Sequence, residues 1–182
     1  MRQIFVSILE VLEVAAVAIG AVFLIRHFLV QPFLVSGASM VPNFQNGDYL
    51  LIDELTYHFR APERGEVLVF RYPKDPSTYF IKRIIGLPGE KVQVKEGKIT
   101  VTNKDNPQGF VLDESYLPKS FVTSGNEEVT LGAQEYMMFG DNRSYSYDSR
   151  SWGPLPASDI VGLVRLRLWP LPDFRAFAAP QY

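Results

Sequence analysis

Apolar residues dominate positions 4–35, and the longest uninterrupted apolar stretch runs from Val14 to Ile25. That stretch is shorter than the roughly 20 residues a spanning helix usually needs. Extending it toward Ile8 takes in Glu10 and Glu13, and extending it toward Val30 takes in Arg26 and His27. Charged groups near the ends of such a helix can reach the headgroups along their own stems. The pattern predicts a membrane-spanning helix from about Ile8 to Val30, ended by Pro32. Three alternatives stand beside it. Ala16-Val17-Ala18 has the small residues of a signal-peptide cleavage site, but strong apolar sequence continues past it. A buried core helix or a helix lying in the interface would each need a polar face that Ala15 to Leu24 does not have. Positive charge falls on both sides of the stretch and barely fixes its orientation.

From Phe33 onward the period changes. Short runs of Val, Ile, Tyr and Phe alternate with Gly, Pro, Asn and Asp turns, which predicts a mainly β domain. Candidate strands lie at 33–36, 48–53, 66–71, 79–86, 91–95, 98–102, 135–140 and 160–168. Glu96-Gly97 between the fifth and sixth is a two-residue hairpin turn. The expected division is an anchor over 1–31 and a β domain over 32–182, with a reduced insertion at 90–139. Within it, 103–130 is polar and turn-rich and reads as an excursion from the main sheet.

Composition narrows the chemistry. The chain has 182 residues and a net charge of −2 with no long basic run, which argues against a nucleic-acid partner. It has no Cys, so thiol nucleophiles, disulfides and thiolate metal sites are excluded. Its two His fall short of the four or so N/S ligands of a structural zinc site, so no metal is expected. A Ser-His-Asp triad would have to use His58, because His27 ends the apolar segment.

What remains is a Ser and a Lys. Ser39 lies in Val35-Ser36-Gly37-Ala38-Ser39-Met40-Val41-Pro42, a Gly-containing turn. Lys82 lies in Tyr79-Phe80-Ile81-Lys82-Arg83-Ile84-Ile85-Gly86. A Ser hydroxyl needs a base, and Lys serves as one when desolvation keeps its amine neutral. Strand alternation puts Phe80, Lys82 and Ile84 on one face and Arg83 on the other. The plainer reading of each stretch is a solvent-facing Lys and an ordinary Ser-Met-x-Pro turn. A third stretch, Gly140-Asp141-Asn142-Arg143-Ser144-Tyr145-Ser146-Tyr147-Asp148-Ser149-Arg150, carries two Asp, two Arg and an Asn in eleven residues. That composition suits a solvated loop or a polar network scaffolding a site, in which Ser146 could hydrogen-bond Lys82.

These stretches, with Arg64-Gly65-Glu66-Val67-Leu68-Val69-Phe70 between the first two, follow one another in an order that resembles type I signal peptidase. With the N-terminal segment, the resemblance spans nearly the whole chain. It implies an antiparallel β catalytic domain, anchored in the cell membrane by one helix and facing the side where exported proteins emerge. It implies removal of signal peptides from exported preproteins after Ala-x-Ala, with no cofactor. It implies Ser39 as nucleophile, Lys82 as general base and Ser146 as the hydroxyl that orients the Lys. The polar scaffold would be Asp141, Asn142, Arg143, Asp148 and Arg150, with Arg83 the partner of Asp141. Phe33, Val35, Met40, Phe44, Phe80 and Ile81 would line shallow apolar pockets. The backbone amide of Ser39 would be one oxyanion donor. The second is a Ser hydroxyl in many longer members, at the position held here by Gly37, with Ser36 one residue further back. After Pro42 the family usually has Thr-Leu, where this chain has Asn43-Phe44. Two other readings compete: a self-cleaving Ser-Lys repressor-type protein, and an anchored β module that binds peptides without cutting them.

Overall fold

The computed structural model describes residues 7–8, 10–20 and 30–179. Residues 10–20 are helical, and their apolar side chains, Val14 and Ile19 among them, are exposed. Among the described residues no helix is long and apolar enough to cross a membrane. The expected spanning helix over 8–30 includes residues 21–29, which lie outside the described residues.

Two antiparallel sheets follow. The larger contains β1 (Val30–Leu34), β2 (Tyr49–Asp53), β3 (Val67–Tyr72), β4 (Asp75–Gly86), β9 (Glu135–Phe139), β10 (Leu155–Pro156), β11 (Ile160–Trp169) and β12 (Arg175–Ala176). Its order is β1-β2-β11-β3-β4-β9-β10, with β12 also on β11. The smaller contains β5 (Lys91–Lys95), β6 (Lys98–Thr102), β7 (Phe110–Val111) and β8 (Glu128–Thr130), in the order β7-β6-β5-β8. The expected insertion over 90–139 is thus cut short, because β9 belongs to the larger sheet and pairs with β4.

Alternation explains the packing. On β3, Val67 and Val69 join Leu50, Ile52 and Val164 in one core, while Leu68 and Phe70 join Ile84, Met138 and Leu163 in another. The smaller sheet buries Val92, Val94, Ile99 and Val101 against Ile85, Met137 and Phe139. β4 changes character along its length. Its first five residues are exposed or half-buried, and its last five, from Lys82 to Gly86, are all buried. The change occurs where β9 pairs with β4 from Arg83 onward. Lys82 therefore sits at the point where an open strand edge becomes covered. Four segments escaped the strand pattern: β7, β8, β10 and β12, each two or three residues long, too short for a period of two to show.

Candidate active site

The site begins with the turn after β1. Val35 closes onto Asp48 by backbone hydrogen bonding, and Gly37 takes a positive φ of 101° that suits glycine. The Phe44 amide donates to the Met40 carbonyl at 2.9 Å, which turns both side chains inward. Met40 and Phe44 are fully buried in the core below the turn, and the Phe44 ring lies 4.4 Å from that of Phe177, tilted by 34°. They anchor the turn from beneath and are absent from the cavity wall that the sequence reading gave them. Ser39 is left half-buried on the upper side of the turn.

Lys82 Nζ lies 2.7 Å from Ser39 Oγ and 2.9 Å from the Ile81 carbonyl oxygen. The residue is only 4% exposed, and its amine sits 5.1 Å from the centre of the Phe80 ring. Burial lowers its pKa to about 8, against the partly opposing fields of Asp148 and Asp141. The free amine at pH 7 thereby rises from about 0.03% to about 10%, a gain of roughly 300-fold in usable base. Among the described residues the Ser39 amide has no protein acceptor. The Gly37 amide is already committed to Asn46 Oδ1 at 2.9 Å, while Ser36 is exposed beside it.

The loop after β9 closes the site. Gly140 and Ser146 lie against each other, and the Ser146 hydroxyl is buried without a hydrogen-bond partner among the described residues. The bond expected between Lys82 and Ser146 is not formed; the amine is held by Ser39 and the Ile81 carbonyl instead. Asp141 receives Arg83 through Nε at 2.7 Å and Nη2 at 2.6 Å, and also Asn43 Nδ2 at 2.9 Å. Asn142 donates through its amide to the Ser39 carbonyl and through Nδ2 to that of Ala38, both at 3.0 Å. Asp148 accepts Arg150 Nε and Nη2 at 2.8 Å each, and the Gly140 amide at 3.0 Å. Arg143 is wholly buried. It reaches back to the Gly140 carbonyl and outward to Thr123 Oγ1, the Tyr116 hydroxyl and Glu114.

Those last three partners come from the segment read as an excursion. Its chain returns to the catalytic loop, and Tyr116 also lies beneath the Arg83 guanidinium at 4.4 Å. No sequence signal separated it from a solvated loop. Asn43 did carry one, since it departs from the Thr usual there.

A cavity of about 320 Å³ opens onto Ser39 and Lys82. Phe33, Val35, Phe80 and Ile81 line it, as do Ser36 and Gly37. Leu34, Ala38, Leu50, Val69, Tyr79, Tyr145 and Tyr147 complete it and were not anticipated. Among the described residues no group of three or more His, Asp and Glu is placed to hold a metal.

Gly140 makes a sharp test of this geometry. A Cβ there would overlap both the Ser146 hydroxyl and the Ser39 carbonyl oxygen. Gly140→Ala is expected to lower activity at least about 100-fold and stability by roughly 1–3 kcal/mol. Thermal unfolding alongside peptide cleavage checks both; a variant with near-normal activity would mean that the loop does not set the position of Ser39.

Comparison with known proteins agrees with the motif order. The family model "Signal peptidase, peptidase S26" matches residues 8–169. A probable signal peptidase I-2 of Synechocystis sp. is 37% identical over 171 residues, covering 88% of this chain and 74% of that one. Signal peptidase IB of Staphylococcus aureus is 31% identical over 180 residues, covering 93% of both. A crystal structure of a signal peptidase I from Enterococcus faecalis aligns with 58% of this chain and 97% of its own, at 25% identity and a TM-score of 0.48. The family match extends over most of the chain, from the N-terminal helical residues to the end of β11, and the relatives align over most of their own lengths. The chain belongs to the signal peptidase family, peptidase S26, and is a hydrolase of the signal peptidase I type.

Proposed function

We propose that this chain removes N-terminal signal peptides from exported preproteins with a Ser39–Lys82 dyad, cutting after small residues in an Ala-x-Ala pattern. The observation that carries the reading is the 2.7 Å approach of Lys82 Nζ to Ser39 Oγ. Neutral Lys82 takes the hydroxyl proton as Ser39 Oγ attacks the scissile carbonyl carbon. The negative charge that develops on the carbonyl oxygen faces the Ser39 amide. Lys82, now protonated, gives its proton to the leaving amine, and the C–N bond breaks. A water molecule, deprotonated by the same amine, then releases the acyl group and restores the hydroxyl. Each step is carried by residues of the chain itself and calls for no metal or cofactor. The apolar walls of the cavity, Val35, Leu50, Val69 and Ile81 among them, support the preference for small apolar side chains. The segment over 8–30 would act as a single-pass anchor in the cell membrane, with the β domain on the extracytoplasmic side. That arrangement holds the site close to lipid, where a preprotein presents its cleavage point.

The test is cleavage of a preprotein in detergent, followed by product mass, between pH 6 and 9. The wild type is expected to cut after Ala-x-Ala, and kcat/KM should climb with pH through a midpoint at about 8, where half of Lys82 is free amine, and flatten toward the top of the range. Ser39→Ala should show no cleavage. A rate flat across this range with chemistry limiting, or an active Ser39→Ala enzyme, would sink the dyad.

A further inference from the structure

The cavity has two parts of different character. On the sheet side its floor is buried, formed by Val35, Leu50 and Val69, while Leu34 and Tyr79 stand exposed at the edge. Its loop-side rim is open, bounded by Tyr145 and Tyr147, which are 80% and 52% exposed. Between these two, Ser146 turns inward and the rings turn outward. Tyr147 is fixed in place. Its hydroxyl lies 3.0 Å from that of Tyr72, and the two rings meet edge to face at 6.0 Å. Tyr145 has no such tie. Its amide closes a turn onto the Asn142 carbonyl at 3.0 Å, and among the described residues its side chain has no hydrogen bond or ring contact.

An aromatic ring so placed adds nothing to the core. It does offer a large, amphipathic contact surface that loses only two torsions on binding. The loop that carries it runs directly over the nucleophile, because Asn142 bonds the carbonyls of both Ser39 and Ala38. A peptide held for attack has two halves that diverge from Ser39 Oγ. With the small side chains of the acyl half over the buried floor, the loop-side rim beside Tyr145, the most exposed of the lining aromatic rings, offers the leaving half a contact surface.

We propose that Tyr145 determines specificity on the leaving side of the substrate. It would contact the residue immediately after the cut and favour an apolar or aromatic side chain there over glycine or a carboxylate. The inference rests on the reading above that places the acyl half over the buried floor.

The experiment uses peptides with a constant Ala-x-Ala acyl half followed by Phe, Leu, Gly or Asp, cleaved by the wild type, Tyr145→Phe and Tyr145→Ala. The wild type should prefer Phe over Gly by about tenfold in kcat/KM, the scale of one apolar contact. Tyr145→Phe should keep that ratio. Tyr145→Ala should bring it close to one, with the loss in KM for the Phe and Leu peptides. A ratio near one in the wild type overturns the proposal. So does an unchanged ratio in Tyr145→Ala, or an equal fall for all four peptides, which is what a purely structural role gives. Product masses separate the two readings. Cutting at a different bond removes the acyl-half assignment and this inference with it. Cutting after Ala-x-Ala with an unaltered ratio removes this inference alone.

Discussion

Lys82→Met is expected to abolish cleavage and, at pH 7, to make the folded chain more stable. The catalytic part follows from the geometry: the side chain is the one base within 2.7 Å of Ser39 Oγ among the described residues. Loss of a positioned base costs about 10²–10⁴-fold, and more where nucleophile and base act as a unit. The stability part follows from linkage. The amine has a pKa of about 8 in the folded chain against 10.5 when exposed. Below pH 8 both states hold the proton, and burying the charge costs folding about 3 kcal/mol. Between 8 and 10.5 the unfolded chain binds more protons than the folded one, so stability climbs with pH and the penalty fades. Met keeps most of the apolar stem and removes the charge, at the lesser cost of two lost hydrogen bonds. A net gain of about 1–2 kcal/mol at pH 7 corresponds to a rise in Tm of roughly 2–8 °C, shrinking as the pH passes 8. Thermal melts of both proteins at pH 7 and pH 10 measure it. A variant less stable than wild type at pH 7 would show that the buried amine does not carry this penalty.

Asp141→Ala is expected to give the largest loss of stability. Asp141 is fully buried, and it answers both the Arg83 guanidinium and Asn43. Its removal strips Arg83, itself buried, of its bidentate carboxylate partner, and breaking a buried pair of this kind costs about 3–5 kcal/mol. The Gly65 carbonyl and the Tyr116 ring also contact the guanidinium. A fall in Tm of roughly 6–20 °C follows. Asp141→Asn keeps an acceptor and the shape, so it should unfold less readily and allow kinetics to be read. In that variant the pH midpoint of kcat/KM should move down. Asp141 now helps hold the Lys82 proton on, and without it the amine loses that proton more easily. A lower Tm with an unmoved midpoint would make Asp141 a structural residue only.

The sequence showed the Ser39–Lys82 pair because each lies in a context unusual for its type. A Lys flanked by Phe80, Ile81, Ile84 and Ile85 carries its own burial signal. The long strands were legible for the same reason, since alternation over five or more residues leaves a trace. Met40 and Phe44, which the resemblance implied as pocket residues, lie in the core instead, because a matching position does not say which side of a turn a residue faces. Their separation of four, with a hydrogen bond between them, points both into the core. Glu114, Tyr116 and Thr123 were invisible for a different reason. Polar residues in a turn-rich segment look the same whether water or a buried arginine receives them. The lack of a Lys82–Ser146 bond could not be read at all, because it depends on how two backbone segments settle against Gly140.

The position of β11 between β2 and β3 has a consequence for the making of the protein. The turn bearing the nucleophile follows β1 and leads into β2, and the base rides on β4; in the sheet these halves meet only through β11. A ribosome has built Ser39 and Lys82 long before it adds residues 160–169. Until that strand emerges and slides between the two halves, the nascent chain holds both reactive groups without the ladder that aligns them. Order of synthesis thus keeps the hydrolase unassembled until its last long strand is made.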